Sequence, residues 1–154
     1  MAQTLCDCRR ELEQHPFLNG LEPEWYDLLT GCTQLVGYGA GHYLGRTGEP
    51  AETFYLIISG HVNVEIDTPN RQPVLIQTLG RGDVVGWSWL TPPHRWRFTA
   101  QAVEPVRALE IQGTALRFVC EENPELGYEL MKRLVHVIAG RLTATRHQLL
   151  NRMR

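Results

Sequence analysis

The chain contains no long hydrophobic run; the longest is Phe54-Tyr55-Leu56-Ile57-Ile58. A membrane-spanning helix needs about 20 apolar residues, so that class is excluded. Met1 to Glu13 holds no apolar stretch of the signal-peptide type. Together these absences predict a soluble, cytoplasmic protein with no membrane partner. No charge sign dominates either: 15 Lys+Arg stand against 17 Asp+Glu, a net of −2. A dedicated nucleic-acid binder carries a basic excess, so the balance argues against one. Cysteine is sparse. Cys6, Cys8, Cys32 and Cys120 are too few and too scattered for a disulfide framework. Catalytic signatures are missing as well. His42, His61 and His94 stand singly, with no His-x-His pair, no Gly-x-Ser-x-Gly elbow and no Walker loop. The expectation is a non-enzyme, without catalytic residues or a metal centre.

What is present is a globular composition: 154 residues, 43% hydrophobic and 21% charged, with 14 Gly and 9 Pro. That length and balance predict one domain over 1–154 with a proper core. The pattern changes twice along the chain. Residues 8–31 read as short helices. Pro23 suits a first helical position, Trp25, Leu28 and Leu29 share a face, and Gly31 suits a stop. Residues 33–111 read as short strands broken by Gly and Pro. Val62, Val64 and Ile66 alternate with polar residues, the period of a half-buried strand. Further strands fall at 35–38, 53–59, 74–79, 98–104 and 106–111. Many short strands with regular Gly-rich turns predict a sandwich or jelly roll.

Residues 112–154 read as helices. Asn123 suits an N-cap, Pro124 the first position, and Glu125 the positive end of the dipole. Leu126, Leu130, Leu134, Ile138, Leu142, Thr145 and Leu149 then form one stripe, about seven turns of helix. Such a helix outruns a small β-domain. Its outer turns predict a homodimer through a second copy of the same helix. The alternative is an amphipathic helix folded over its own roll.

Between two strands lies the segment 82–97. A helical turn after Gly86 would present backbone N–H groups to an anion, and Arg95 and Arg97 would clamp it. Trp87, Trp89 and Trp96 would offer indole faces for stacking. The competing reading makes the indoles plugs for the mouth of the roll and leaves both arginines in solvent. His94 is either an imidazole available to a metal or haem or a loop histidine, the latter favoured.

At these residues a family resemblance enters. The stretches Gly48-Glu49-Pro50-Ala51-Glu52-Thr53-Phe54-Tyr55-Leu56-Ile57-Ile58-Ser59-Gly60-His61-Val62, Leu79-Gly80-Arg81-Gly82-Asp83-Val84-Val85-Gly86 and Arg107-Ala108-Leu109-Glu110-Ile111 carry it, with Gly140-Arg141-Leu142 and Thr145. They resemble the cyclic-nucleotide-binding domain of the Crp/Fnr superfamily from about His15 onward. The resemblance implies a mainly β fold with flanking α: a double-stranded β-helix or jelly roll plus a long C-terminal dimerisation helix. It also implies a phosphate-binding cassette at 82–97. In the family a Glu after the cassette glycine binds the ribose; here that position is Trp87. A later Arg binds the cyclic phosphate; here that position falls on Trp96, with Arg95 and Arg97 one residue to either side. The family's terminal helix reaches the base edge, which by position implies contacts from Thr145 and Arg146 of the same or the other subunit; the alternative makes Thr145 a small residue in the helix seam.

The expected ligand-binding set is therefore Gly86, Trp87, Ser88, Trp89, Leu90, Arg95, Trp96, Arg97, Thr145 and Arg146. An indole donates but does not accept, so it cannot replace a ribose-binding carboxylate. The usual recognition of cAMP or cGMP is not expected. The pocket suits another nucleotide or a planar anionic small molecule; the sequence does not identify a cofactor. The superfamily's DNA-reading helices have no counterpart in this sequence, so direct DNA binding is not expected. Arg141, Arg146, Arg152 and Arg154 read as dipole compensation and solvation. Cys6-Asp7-Cys8 reads as part of an N-terminal arm more readily than as a soft-metal site. The expected function is a stand-alone ligand-sensing regulatory module that signals through its dimer helix to a protein partner. The alternative is a dimeric adaptor that binds no ligand.

Overall fold

A computed structural model describes residues 2–70 and 72–153, with the backbone alone for Ala2, Gln3 and Thr4. Helix α1 (Ala2–Gln14), a 3-10 turn (Pro16–Leu18) and α2 (Pro23–Thr30) lead into eight strands. These are β1 (Thr33–Tyr38), β2 (Tyr43–Gly45), β3 (Thr53–Ser59), β4 (Val62–Ile66), β5 (Val74–Leu79), β6 (Val84–Val85), β7 (Thr99–Ala102) and β8 (Val106–Gln112). Helices α3 (Gly113–Glu122) and α4 (Pro124–Arg152) follow. The strands make two antiparallel sheets, ordered β1-β8-β3-β6 and β2-β7-β4-β5. This is the expected jelly roll with flanking helices.

Two apolar cores share the first sheet. On β3, Tyr55 and Ile57 face Val62, Val64, Ala100 and Trp96 between the two sheets. Phe54 and Leu56 face the other way, against the helices, with Leu12, Leu29, Leu116 and Leu126. Successive strand side chains point to opposite faces, and here both faces are covered. That explains the unbroken apolar run at 54–58, since a strand buried on both sides does not alternate.

Several boundaries differ from the sequence reading. α1 starts at Ala2 rather than near residue 8, and 2–14 is no free arm: Cys8 and Leu12, one helical turn apart, are buried in the helix-facing core. Asn123 marks the start of α4, but its side chain does not cap it; Nδ2 donates back to the Val119 carbonyl at 3.0 Å. The expected strand 98–104 forms only over Thr99–Ala102. The three-residue β2 and two-residue β6 are too short to carry a period.

Helix α4 has 29 residues, about 43 Å at 1.5 Å per residue. Its stripe is buried only at Leu126, Leu130 and Leu134; Ile138, Leu142 and Leu149 are 37%, 49% and 60% exposed. The helix leaves its own core near its middle. Among the described residues no helix is long and apolar enough to cross a membrane.

Candidate functional site

The cassette segment is built around Trp96. Its backbone N–H donates to the Glu49 carbonyl at 2.9 Å, and its carbonyl accepts from Gly48 N–H at 2.8 Å. That pairing gives residues 95–97 strand-like alternation: the indole turns in and both neighbours turn out. Trp96 is 4% exposed, within the core between the sheets. It packs edge-to-face on Phe98 at 5.6 Å and tilted on Tyr55 at 6.5 Å. Two glycines make its slot. A Cβ on Gly45 would overlap the indole outright, and one on Gly86 would sit 2.8 Å from Trp96 Cη2. Gly86 also has φ +85°, a left-handed conformation that suits glycine.

Arg95 and Arg97 are exposed on the outside of this loop. Arg95 Nη1 donates to the Gly48 carbonyl at 2.8 Å and Arg97 Nη2 to the Pro92 carbonyl at 3.3 Å. Neither guanidinium enters the roll, so the two arginines expected to clamp a phosphate are instead engaged by backbone carbonyls on the outside of the loop. After Gly86 the chain makes a single turn, closed by Leu90 N–H on the Trp87 carbonyl at 3.1 Å.

The three indoles separate. Trp89 enters the helix-facing core beside Phe54, and its Nε1 donates to the Gly86 carbonyl at 3.2 Å. Trp87 is half-buried, edge-to-face with Phe98 at 6.0 Å. The Arg141 guanidinium from α4 lies over Trp87, 4.9 Å from the ring centroid, and donates to the Val84 carbonyl. Ser88 is buried with its Oγ unpartnered, and Leu90 is half-buried at the edge of the helix-facing core. Thr145 is exposed and donates to the Arg141 carbonyl of its own helix at 2.9 Å; Arg146 is exposed. Trp87 and Trp96 thus share one aromatic cluster through Phe98, while Trp89, Thr145 and Arg146 lie elsewhere.

His94 accepts from Arg117 Nη1 at 2.7 Å, which ties the cassette loop to α3 through Nε2. Cys6 is exposed and Cys8 buried, because residues two apart on a helix point to opposite sides. Among the described residues no group of three His, Cys, Asp or Glu is placed to hold a metal ion.

A cavity of about 770 Å³ lies between α4, the 3-10 turn and the β5–β6 connection. Its polar lining includes Asn19, Gln77, Asp83, Arg133, His136 and Arg141. Arg133 Nη1 donates to the Phe17 carbonyl at 2.8 Å and Nε to Glu129 at 3.1 Å. Bonds from Lys132 and Arg133 hold the Glu129 carboxyl below the usual carboxylate range. Burial lowers the Arg141 pKa to about 10, partly offset by nearby Asp83, so the group stays cationic at neutral pH. Arg141 is therefore no solvated tail charge. The signal was present in sequence: Arg133, Val137, Gly140 and Arg141 recur at helical spacing beside the leucine stripe.

The fold and this cassette define a cyclic-nucleotide-binding type of regulatory domain. The family model for the cyclic nucleotide-binding domain matches residues 35–123, and the chain belongs to that family. It is similar to a CRP-like cAMP-activated global transcriptional regulator of Mycobacterium tuberculosis, with 31% identity over 130 residues, covering 84% of this chain and 56% of that protein. The chain thus spans just over half the length of that relative. A cyclic nucleotide-binding domain from Methylobacillus flagellatus superposes with a TM-score of 0.78 at 20% identity, covering 97% of this chain and 83% of that one. The sensor domain of the transcriptional regulator DNR from Pseudomonas aeruginosa superposes with a TM-score of 0.72 at 25% identity, covering 90% and 93%.

Proposed function

We propose that this domain is a ligand-sensing, non-enzymatic regulatory module whose roll interior is closed to cyclic nucleotide in the usual pose, and which signals through α4. One observation carries the reading. The Trp96 indole, held against Gly45 and Gly86, occupies the inward position that the family resemblance assigns to the phosphate-binding arginine. Trp87, at the position of the ribose-binding acid, stacks under Arg141 instead. An anionic sugar phosphate would have to displace a buried indole, and the cassette's own arginines, Arg95 and Arg97, turn outward.

Output through α4 is supported by its exposed second half. Ile138, Leu142 and Leu149 continue a stripe whose first half is core, and a second copy of the helix covers such a stripe by symmetry. A ligand that prefers one position of α4 would then bias the dimer surface presented to a partner protein. A second reading, a dimeric adaptor without ligand, is favoured by the same filled interior.

Titration of the intact protein with cAMP and cGMP, followed by tryptophan emission and calorimetry, tests the closed interior. The expected result is no quenching of the buried indoles by either. One-to-one binding with quenching of the buried indoles would overturn the reading.

A further inference from the structure

We infer that the cavity beneath α4 is a binding site for a small organic phosphate of nucleotide size, separate from the roll interior. This rests on the reading of the chain as a ligand sensor with a closed roll, and it supplies the site that reading needs. At about 770 Å³ the cavity falls within the range of small-molecule sites, roughly 300–1,000 Å³. Its lining is net cationic: Lys132, Arg133 and Arg141 line it with the carboxylate of Asp83, and Glu129, outside the lining, pairs with Lys132 and with Arg133 Nε, leaving a net charge of one cation. Asp83 is already engaged, since its Oδ2 accepts from Gly80 N–H at 2.8 Å.

Guanidinium groups suit phosphate because their fork of N–H donors matches its oxygens. Arg133 and Arg141 stand eight residues apart on α4, about 12 Å along the helix axis. A phosphate at one end of the cavity leaves room for a flat ring beside Phe17 and Val137, which also line it. Gly140 keeps the floor open, because a Cβ built there meets nothing within 4 Å. The site is also placed to act. Arg133 bonds the Phe17 carbonyl, and Arg141 bonds the Val84 carbonyl and covers Trp87. The first contact holds α4 on the 3-10 turn and the others hold it on the roll, and a phosphate that recruits either guanidinium competes with them.

The test is calorimetric titration of the full chain with AMP, with adenosine as the uncharged control. AMP is expected to bind saturably and adenosine at least tenfold more weakly. Arg133→Met and Gly140→Leu should each weaken AMP at least tenfold, while Arg95→Ala and Arg97→Ala leave it unchanged. Gly140→Leu guards against a folding defect, since it fills the cavity without removing a contact, and thermal melts check both variants. No AMP binding, equal adenosine binding, or affinity indifferent to both cavity variants overturns the site. If Gly140→Leu instead alters self-association with no AMP binding in the parent, the cavity is an interface and the proposal fails. A parallel cAMP titration keeps the two readings apart: cAMP binding that survives Gly140→Leu refutes the closed roll, whereas AMP results alone decide this site.

Discussion

Replacing Trp96 with alanine tests the packing on which the closed interior depends. Trp96 is 4% exposed. An indole buries roughly 150–250 Å², which at about 25 cal/mol per Å² sets an upper figure of about 4–6 kcal/mol. The denatured chain already hides part of that area, and Trp→Ala changes in cores cost about 3–5 kcal/mol. The expected loss is therefore about 3–5 kcal/mol, a large share of the roughly 5–15 kcal/mol typical of a domain. The assay is equilibrium urea unfolding, with tryptophan emission and circular dichroism tracked together to check two-state behaviour. The opposite perturbation is Gly45→Ala, whose Cβ would overlap the ring; overpacking of this kind costs about 1–3 kcal/mol. A Trp96→Ala loss below about 1 kcal/mol, or a neutral Gly45→Ala, would mean that the indole does not fill the roll, and the argument against the usual nucleotide pose would go with it.

Other consequences follow from single contacts. His15 Nδ1 accepts from Phe17 N–H, and its Nε2 donates to the Ile57 carbonyl. Burial holds its pKa below the ordinary 6.5, partly offset by the Ile57 bond and by Asp83 and Glu11. The unfolded chain takes up this proton first, so stability is expected to fall as pH drops through about 6.5 toward the lowered folded value; His15→Gln should flatten that part of the urea-midpoint profile. Arg141→Met removes the cation over Trp87 and the Val84 bond; a loss of about 1–2 kcal/mol and a shift in tryptophan emission are expected, and unchanged emission would contradict the stacking. Leu142→Glu with Leu149→Glu should turn a dimer into a folded monomer in sedimentation; a dimer that persists would place the interface elsewhere. Arg95→Ala and Arg97→Ala should each change stability by no more than about 0.5 kcal/mol in the same urea assay, as exposed surface changes do.

Much of the fold is legible along the chain because it is encoded in local period and punctuation. The strands at 53–59 and 74–79 match the sequence reading residue for residue, since each combines β-branched or aliphatic residues with a flanking Gly or Pro. Helix α4 was readable from its stripe and from Pro124. Strands β2 and β6 were not, because two or three residues carry no period and owe their pairing to partners far away in sequence. The start of α1 is not legible in sequence because Gln3, Thr4 and Asp7 interrupt the apolar residues before Cys8, which form no stripe long enough to mark a helix.

The cassette divides along the same line. Sequence alone determined that indoles stand where the family resemblance places a ribose-binding acid and a phosphate-binding arginine, since residue identity is all that statement needs. Only the tertiary structure decided which way each side chain turns. Pairing of residues 48–51 with 94–96 sends Trp96 inward and both arginines outward, and a one-residue slip would have reversed that choice. Packing also sorted the indoles: Trp89 under Gly113 in the helix-facing core, Trp96 against Gly45 and Gly86 in the roll. The cavity beneath α4 arises where Asn19, Gln77 and Arg133 converge from three distant segments, a juxtaposition that no local pattern specifies because only the folded path of the backbone creates it.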